Sequence, residues 1–174
     1  AEPAAVAELF GKLDAGGRTP DVVVYNASNR VRGPLVDLAP DDVKRAMEIS
    51  AFGAFLVSQQ AARRMVPKSH GAIFLTGATA GVKGFALSAT FAMGKFALRG
   101  LAQSMARELS PQGIHVAHFV IDGGIRSANR TVPDNAPDSL LDPDAIAETY
   151  WATLMQHRSA WSWEIEVRPW VEKF

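Results

Sequence analysis

The chain has 174 residues, 18 basic and 18 acidic, so its formal net charge is zero. This balance argues against a nucleic-acid or membrane-surface partner attracted by net charge. The absence of cysteine excludes disulfides and thiolate chemistry and fits a cytoplasmic protein. No apolar run is long enough to span a membrane, and the length suits one domain with a substantial core.

Helices and strands alternate along the predicted chain. Apolar periodicity and turn signals predict helices over 3–13, 41–65, 89–110 and 143–156, and strands over 21–26, 72–76, 114–121 and 161–167. This order predicts parallel strands joined by helical crossovers, which is the α/β doubly wound class. The segment 126–142 contains two prolines and is predicted to be a loop or lid. Residues 168–174 are predicted to form a C-terminal tail.

The first predicted strand, DVVVYN, has an unusual composition for its place in the order. Its three consecutive valines show no alternation, which predicts a strand buried on both faces. At the edge of a sheet, such a strand would expose a hydrophobic edge with unpaired backbone groups. We therefore expect something to pair with it, either residues upstream or another chain. An interaction module that uses this edge is one possible function.

The helix predicted over 89–110 carries the most informative side chains. Phe91 and Lys95 stand four residues apart, so they share one face of the helix. Lys95 has apolar neighbours, and we expect its ammonium to point to a specific place. The alternative is a lysine that extends along the helix surface to reach solvent. Ser88 or Thr90, at the helix start, is predicted to cap the helix.

Three segments resemble motifs of the short-chain dehydrogenase/reductase family. YNAS, at the end of the first strand, resembles that family's Asn-Asn-Ala-Gly. Lys95 matches the lysine of Tyr-x-x-x-Lys, and IDGGIRS is similar to the Pro-Gly segment and the Ile-x-Thr that follows it. The resemblance covers nearly the whole chain and roughly the C-terminal two-thirds of the usual family domain. It implies a single, incomplete Rossmann-like domain over 1–174 with four parallel strands.

The resemblance also implies an NAD(P)-dependent oxidoreductase that acts on a small molecule. The positions it assigns to NAD or NADP are Asn26, Ala27, Ser28, Lys95, Asp122, Gly123, Ile125 and Ser127. No metal site is expected, because the four histidines do not form a ligand set. The helices over 41–65 and 89–110 carry small residues along their length, and the family pairs these helices across a twofold axis. We therefore expect a homodimer or homotetramer.

The residues that the family uses for catalysis are altered. Phe91 stands at the tyrosine position, Ala78 at the serine position and Ser50 at the asparagine position, so only Lys95 is retained. One hypothesis is an oxidoreductase with an altered proton relay, in which a water or a substrate hydroxyl replaces the tyrosine and turnover is slow. The other is a catalytically inactive relative that binds a nucleotide or small ligand as a sensor or partner subunit.

The family's Gly-rich phosphate loop and its first three strands have no counterpart in this sequence. Such a loop places glycine backbone and a helix N-terminus against the cofactor pyrophosphate. We therefore expect the chain to be part of a longer domain, and we expect enzyme activity only from the complete protein.

Overall fold

The computed structural model describes residues 1–172, in which helices and strands alternate as predicted. The helices are α1 (Pro3–Ala15), α2 (Pro40–Met47), α3 (Gly53–Met65), α4 (Ala89–Leu109) and α5 (Pro143–Leu154). The strands are β1 (Val22–Tyr25), β2 (Ala72–Thr76), β3 (His115–Ile121), β4 (Gly124–Ile125), β5 (Leu140–Leu141) and β6 (Glu164–Val167). Lys173 and Phe174, the end of the predicted tail, lie outside the described residues.

Four strands form one parallel sheet in the order β1-β2-β3-β6. Parallel neighbours need a crossover, and here α2–α3, α4 and α5 provide the three connections. All four carboxyl ends consequently meet at the same edge of the sheet. This arrangement confirms the predicted α/β doubly wound architecture.

The core has two layers, one on each face of the sheet. Side chains alternate across a strand, so Ile73 and Leu75 of β2 face α1, α3 and α4, whereas Phe74 faces α5. On the α5 side, the rings of Phe119 and Tyr150 stack with their centroids 3.6 Å apart. β2 and β3 are therefore buried on both faces and form a fixed platform.

No described helix is long and apolar enough to cross a bilayer.

The prediction that β1 is buried on both faces is wrong for the described residues. Val23 and Tyr25 pack against the core formed with α3, but Val22 and Val24 point to the other face and are 41% and 49% exposed. Within residues 1–172, β1 is an edge strand that pairs only with β2. A run of valines therefore does not distinguish a strand with both faces covered from one with a single face covered. A partner for this edge stays a prediction.

The segment 126–142 has no helical turn, in agreement with the predicted loop. Its end forms β5, which pairs with β4 in a small parallel sheet. Ser127 and Arg130 form an additional bridge. The sequence did not predict β4 or β5, because two-residue strands have no measurable periodicity. The role of this segment as a lid stays a prediction.

A π-helical turn, Glu48–Phe52, interrupts what the sequence predicts as one continuous helix. Such turns leave backbone groups without their usual helical partners and occur frequently at functional sites. The hydroxyl of Tyr25, the last residue of β1, donates a hydrogen bond to the Ile49 carbonyl at 2.5 Å. This bond attaches the end of β1 to the irregular turn, which also carries Ser50.

Two glycines of α4 provide a matched test of how closely α4 approaches the π-helical turn. A Cβ at Gly94 would lie 2.8 Å from the Ser50 Cβ, whereas a Cβ at Gly100 would meet nothing within 4 Å. We expect Gly94→Ala to lower the free energy of unfolding by about 1–3 kcal/mol, because the neighbouring turn must move. Gly100→Ala should raise it by up to about 1 kcal/mol through helix propensity. Urea denaturation measures both, and equal effects would contradict the close approach.

Candidate active site

A pocket of about 530 Å³ lies beyond the carboxyl ends of β1, β2 and β3. Ligands bind at this edge in open parallel sheets. Six of the eight predicted cofactor positions line it: Asn26, Ser28, Lys95, Gly123, Ile125 and Ser127. Phe91 and Ala78 also line it, whereas Ser50, Ala27 and Asp122 are not among its lining residues. The fold therefore brings most of the predicted positions together in one cavity.

Lys95 is the central charged group of this pocket. Its side chain is 3% exposed and its Nζ donates a hydrogen bond to the Thr76 carbonyl at 2.7 Å. Burial lowers the pKa of Lys95 from 10.5 to about 8, because desolvation disfavours the charged form. A lysine that extends to solvent is thus excluded, and the ammonium has the specific position that the sequence predicted.

The ring of Phe91 contacts two cations. Its ring centroid is 5.7 Å from the Lys95 Nζ and 5.2 Å from the Arg30 Cζ, within the range of cation–π attraction. A phenyl ring carries no ionisable proton, and the Ala78 side chain is a methyl group. These two positions therefore offer neither a proton nor a hydrogen bond to a substrate.

Buried hydroxyls hold the loop after β1 on both sides of Arg30. The Asn29 N–H donates to the Ser50 hydroxyl at 3.2 Å, and the Thr90 hydroxyl donates to the Val31 carbonyl at 2.6 Å. The Val31 N–H donates in return to the Thr90 oxygen at 3.3 Å. Ser50 and Thr90 are 1% and 0% exposed. The backbone around Arg30 is thus attached to the π-helical turn and to the start of α4.

This arrangement corrects the predicted helix cap. Ser88 occupies the N-cap position, but its side chain makes no capping hydrogen bond. The Thr90 hydroxyl is occupied by the loop backbone instead of the backbone of α4. The loop that crosses the start of α4 supplies competing hydrogen-bond partners for the Thr90 hydroxyl. Sequence patterns local to the helix cannot reveal such a contact.

Asp122 stabilises the ends of the strands beside the pocket. It is 6% exposed, accepts a hydrogen bond from the Thr79 hydroxyl at 2.5 Å and forms an ion pair with Arg168 at 2.7 Å. These contacts join the segments that follow β2, β3 and β6. Gly123 has φ +154, and a Cβ there would lie 2.8 Å from the Pro169 Cδ, so this turn requires glycine.

Three arginines near the pocket were not predicted from the sequence: Arg30, Arg130 and Arg168. Arg30 and Arg130 line the pocket, and Arg168 reaches it indirectly through Asp122. Arg30 follows the end of β1 by five residues, and position 168 directly follows β6. Charged residues just beyond the carboxyl ends of parallel strands were therefore an available signal.

Known proteins with similar sequences identify the family. The sequence profile described as short chain dehydrogenase matches residues 1–134 of the chain. The chain belongs to the short-chain dehydrogenase family. It is 30% identical over 122 residues to 17-beta-hydroxysteroid dehydrogenase type 1 of Homo sapiens, which covers 70% of this chain and 37% of that protein. It is 33% identical over 94 residues to L-2,3-butanediol dehydrogenase of Corynebacterium glutamicum, covering 53% of this chain and 36% of that protein.

Solved structures superpose on nearly the whole chain. A short-chain dehydrogenase from Rhodopseudomonas palustris matches with a TM-score of 0.79 and 34% identity, over 98% of this chain and 73% of that one. A serine dehydrogenase in complex with NADP+ matches with a TM-score of 0.85 at 20% identity, over 99% of this chain and 74% of that one, which shows the shared fold. The chain spans a little more than one third of the length of the two sequence relatives named above.

The buried ammonium of Lys95 predicts an unusual pH dependence of stability. Unfolded Lys95 keeps its proton up to about pH 10.5, whereas folded Lys95 loses it above about pH 8. Unfolding between these values takes up a proton, so the free energy of unfolding should rise with pH in that interval. Below pH 8, Lys95→Met should be more stable than the wild type by about 3 kcal/mol, because it removes the cost of burying a charge.

Urea denaturation from pH 7 to pH 10 measures this difference. The tyrosines titrate in both proteins. Subtracting the two curves of unfolding free energy against pH therefore isolates the contribution of Lys95. The stability gap between Lys95→Met and the wild type should narrow as the pH rises through this range. A gap that stays constant would show that folded Lys95 titrates at its ordinary pKa.

Proposed function

We propose that the protein is an NAD(P)-dependent oxidoreductase that interconverts a small carbonyl compound and its alcohol without the family's tyrosine. The observation that carries the proposal is Lys95, a buried ammonium that lines a pocket at the carboxyl edge of the sheet and contacts Phe91. Family membership supports the reaction class, because hydride transfer is the chemistry of the cofactor and the protein mainly positions the reactants.

The residues around the pocket fit the nicotinamide end of such a cofactor. A bound nicotinamide cofactor supplies or accepts the hydride. Lys95 and Asn26 would hold the ribose, since an ammonium with one N–H used by Thr76 keeps two further donors. Gly123 and Ser127, which line the same pocket, would face the carboxamide.

Lys95 is the group that we propose as the proton donor for carbonyl reduction. With a pKa of about 8, it is protonated at neutral pH and still able to release the proton. A general acid works best when its pKa lies near the working pH. Phe91 and Ala78 offer no competing donor, and a water molecule or substrate hydroxyl would connect Lys95 with the reacting oxygen. In the oxidative direction, neutral Lys95 would accept the proton.

A second candidate function is binding without turnover. It is favoured by the simultaneous replacement of three family positions by Phe91, Ala78 and Ser50, of which Ser50 is occupied with the backbone of Asn29. In this case the same pocket would bind a nucleotide or small ligand in a sensor or partner subunit. Calorimetric titration with NADH and NADPH separates the two: binding without turnover on any carbonyl compound or alcohol supports the second function.

An absorbance assay of nicotinamide oxidation tests the catalytic proposal. The full-length protein should turn over slowly, and Lys95→Met should abolish the activity because both the ribose contact and the proton donor are lost. Phe91→Tyr combined with Ala78→Ser should increase the rate about a hundredfold to ten-thousandfold, which is the usual contribution of a general acid. Unchanged activity in Lys95→Met would refute the assigned role.

We also propose that copies of the chain associate through the outer surface of α3 and α4. Together with Phe52, the last residue of the π-helical turn, this surface presents four large apolar side chains that are 41–49% exposed: Phe52, Phe55, Met93 and Phe96. The rings of Phe52 and Phe55 stack with centroids 6.2 Å apart, which presents one continuous aromatic surface. Large exposed apolar patches typically mark interfaces.

Light scattering tests the association. The wild type should be a dimer or tetramer at micromolar concentration, and Phe55→Glu should shift it toward monomer because a charge would be buried in the interface. Val36→Glu is the matched control, since Val36 is 90% exposed in a short 3₁₀ helix, Leu35–Asp37. A wild-type monomer, or equal effects of the two substitutions, would contradict the proposed surface.

A further inference from the structure

The charges that line the pocket all have the same sign. Arg30, Lys95 and Arg130 are its ionisable lining residues, and no aspartate or glutamate of the described chain is among them. A concave surface lined by charges of one sign concentrates ligands of the opposite sign. The proposed hydride transfer requires Lys95 but gives no role to the two arginines.

Arg30 is held ready for a ligand. Its guanidinium lies over the Phe91 ring, and buried hydroxyls fix the residues before and after it. Among the described residues, neither Arg30 nor Arg130 forms an ion pair. An arginine stacked on an aromatic ring keeps its N–H donors in one plane, which suits bidentate binding of a carboxylate.

The Phe91 ring is the surface shared by the two groups that would bind the substrate, Arg30 and Lys95. Arg30 and Lys95 both contact its ring, at 5.2 Å and 5.7 Å from the centroid. A small molecule that crosses this ring can place its carbonyl oxygen near Lys95 and an oxyanion against Arg30. We propose that the substrate is a small carboxylic acid that also carries the reacting carbonyl or hydroxyl group, and that Arg30 binds its carboxylate. This inference rests on the proposed function for the reacting group, but the binding of the carboxylate does not require turnover.

NAD or NADP also carries oxyanions, in its pyrophosphate. Binding of that pyrophosphate by an arginine of the pocket must be distinguished from binding of a substrate carboxylate. Arg130 is the better placed arginine for the cofactor: its Nη1 would lie 2.9 Å from a Cβ at Gly124, beside the predicted cofactor positions Gly123 and Ile125. Arg30 lies instead beside Phe91, at the position where the family has its catalytic tyrosine. We therefore assign the carboxylate to Arg30.

Calorimetric titration of the full-length protein with succinate tests the assignment. Succinate should bind and succinamide, its uncharged counterpart, should not. Arg30→Gln should weaken succinate binding by about ten- to a hundredfold, the usual effect of losing a hydrogen bond to a charged group. Arg32→Gln is the matched control, because Arg32 belongs to the same loop but does not line the pocket. Circular dichroism with equal unfolding midpoints would establish that both variants fold.

ADP-ribose carries the cofactor's pyrophosphate but no carboxylate. Titration with ADP-ribose therefore distinguishes binding of the cofactor pyrophosphate from binding of a substrate carboxylate. Arg30→Gln should leave ADP-ribose affinity unchanged. Loss of ADP-ribose affinity in Arg30→Gln with succinate binding intact would overturn the proposal, and so would equal binding of succinate and succinamide.

Turnover distinguishes failure of this inference from failure of the proposed function. For an oxo acid and its neutral amide, Arg30→Gln should raise the KM of the acid alone and leave kcat unchanged. If the wild type and Arg30→Gln both turn over the acid and the amide equally, the carboxylate site at Arg30 is refuted while the oxidoreductase function stands. Arg30-dependent succinate binding without turnover of any oxo acid would refute the oxidoreductase function and retain the carboxylate site.

Discussion

The hydrogen bond from the Lys95 Nζ to the Thr76 carbonyl joins α4 to the last residue of β2, and it holds a charged group away from water. Burial lowers the pKa of Lys95 to about 8, so the fold bears a free-energy cost to keep an ammonium at this point. The doubly covered strands β2 and β3 make that cost tolerable, because their apolar side chains pack on both faces of the sheet. Pocket residues of both elements, Thr76 on β2 and Phe91 on α4, lie beside this junction of helix and strand.

Two positions of the pocket carry apolar side chains beside its cations. Ala78 has a methyl group and Phe91 a phenyl ring, and the Phe91 ring contacts both Arg30 and Lys95. Ser50 keeps a polar atom, but that atom supports the loop backbone at Asn29. The charged side chains that line the cavity, those of Arg30, Lys95 and Arg130, are all cationic. Their common charge connects the proposed proton donor with the proposed class of substrate.

The sequence predicted the fold where the signal was a long periodic pattern. The order of elements, the buried strand β2 and the helix α4 follow directly from apolar spacing. Six of the eight residues that the family motifs predict for the cofactor line one pocket, and their role stays a prediction. The predictions were wrong where the outcome depends on neighbours distant in sequence. Solvent reaches one face of β1 because no described helix packs tightly over Val22 and Val24, and the hydroxyl of Thr90 bonds to a loop 59 residues away instead of capping its own helix. The site arginines were missed because their importance depends on which strand ends meet.

The pH dependence of kcat/KM for carbonyl reduction by the full-length protein tests the central claim most directly. Because Lys95 must be protonated to donate, the rate should fall above about pH 8, which is its pKa in the folded chain. Phe91→Tyr should remove this decline by supplying a second donor beside the lysine. A rate that stays constant to pH 10 in the wild type would show that Lys95 does not provide the proton.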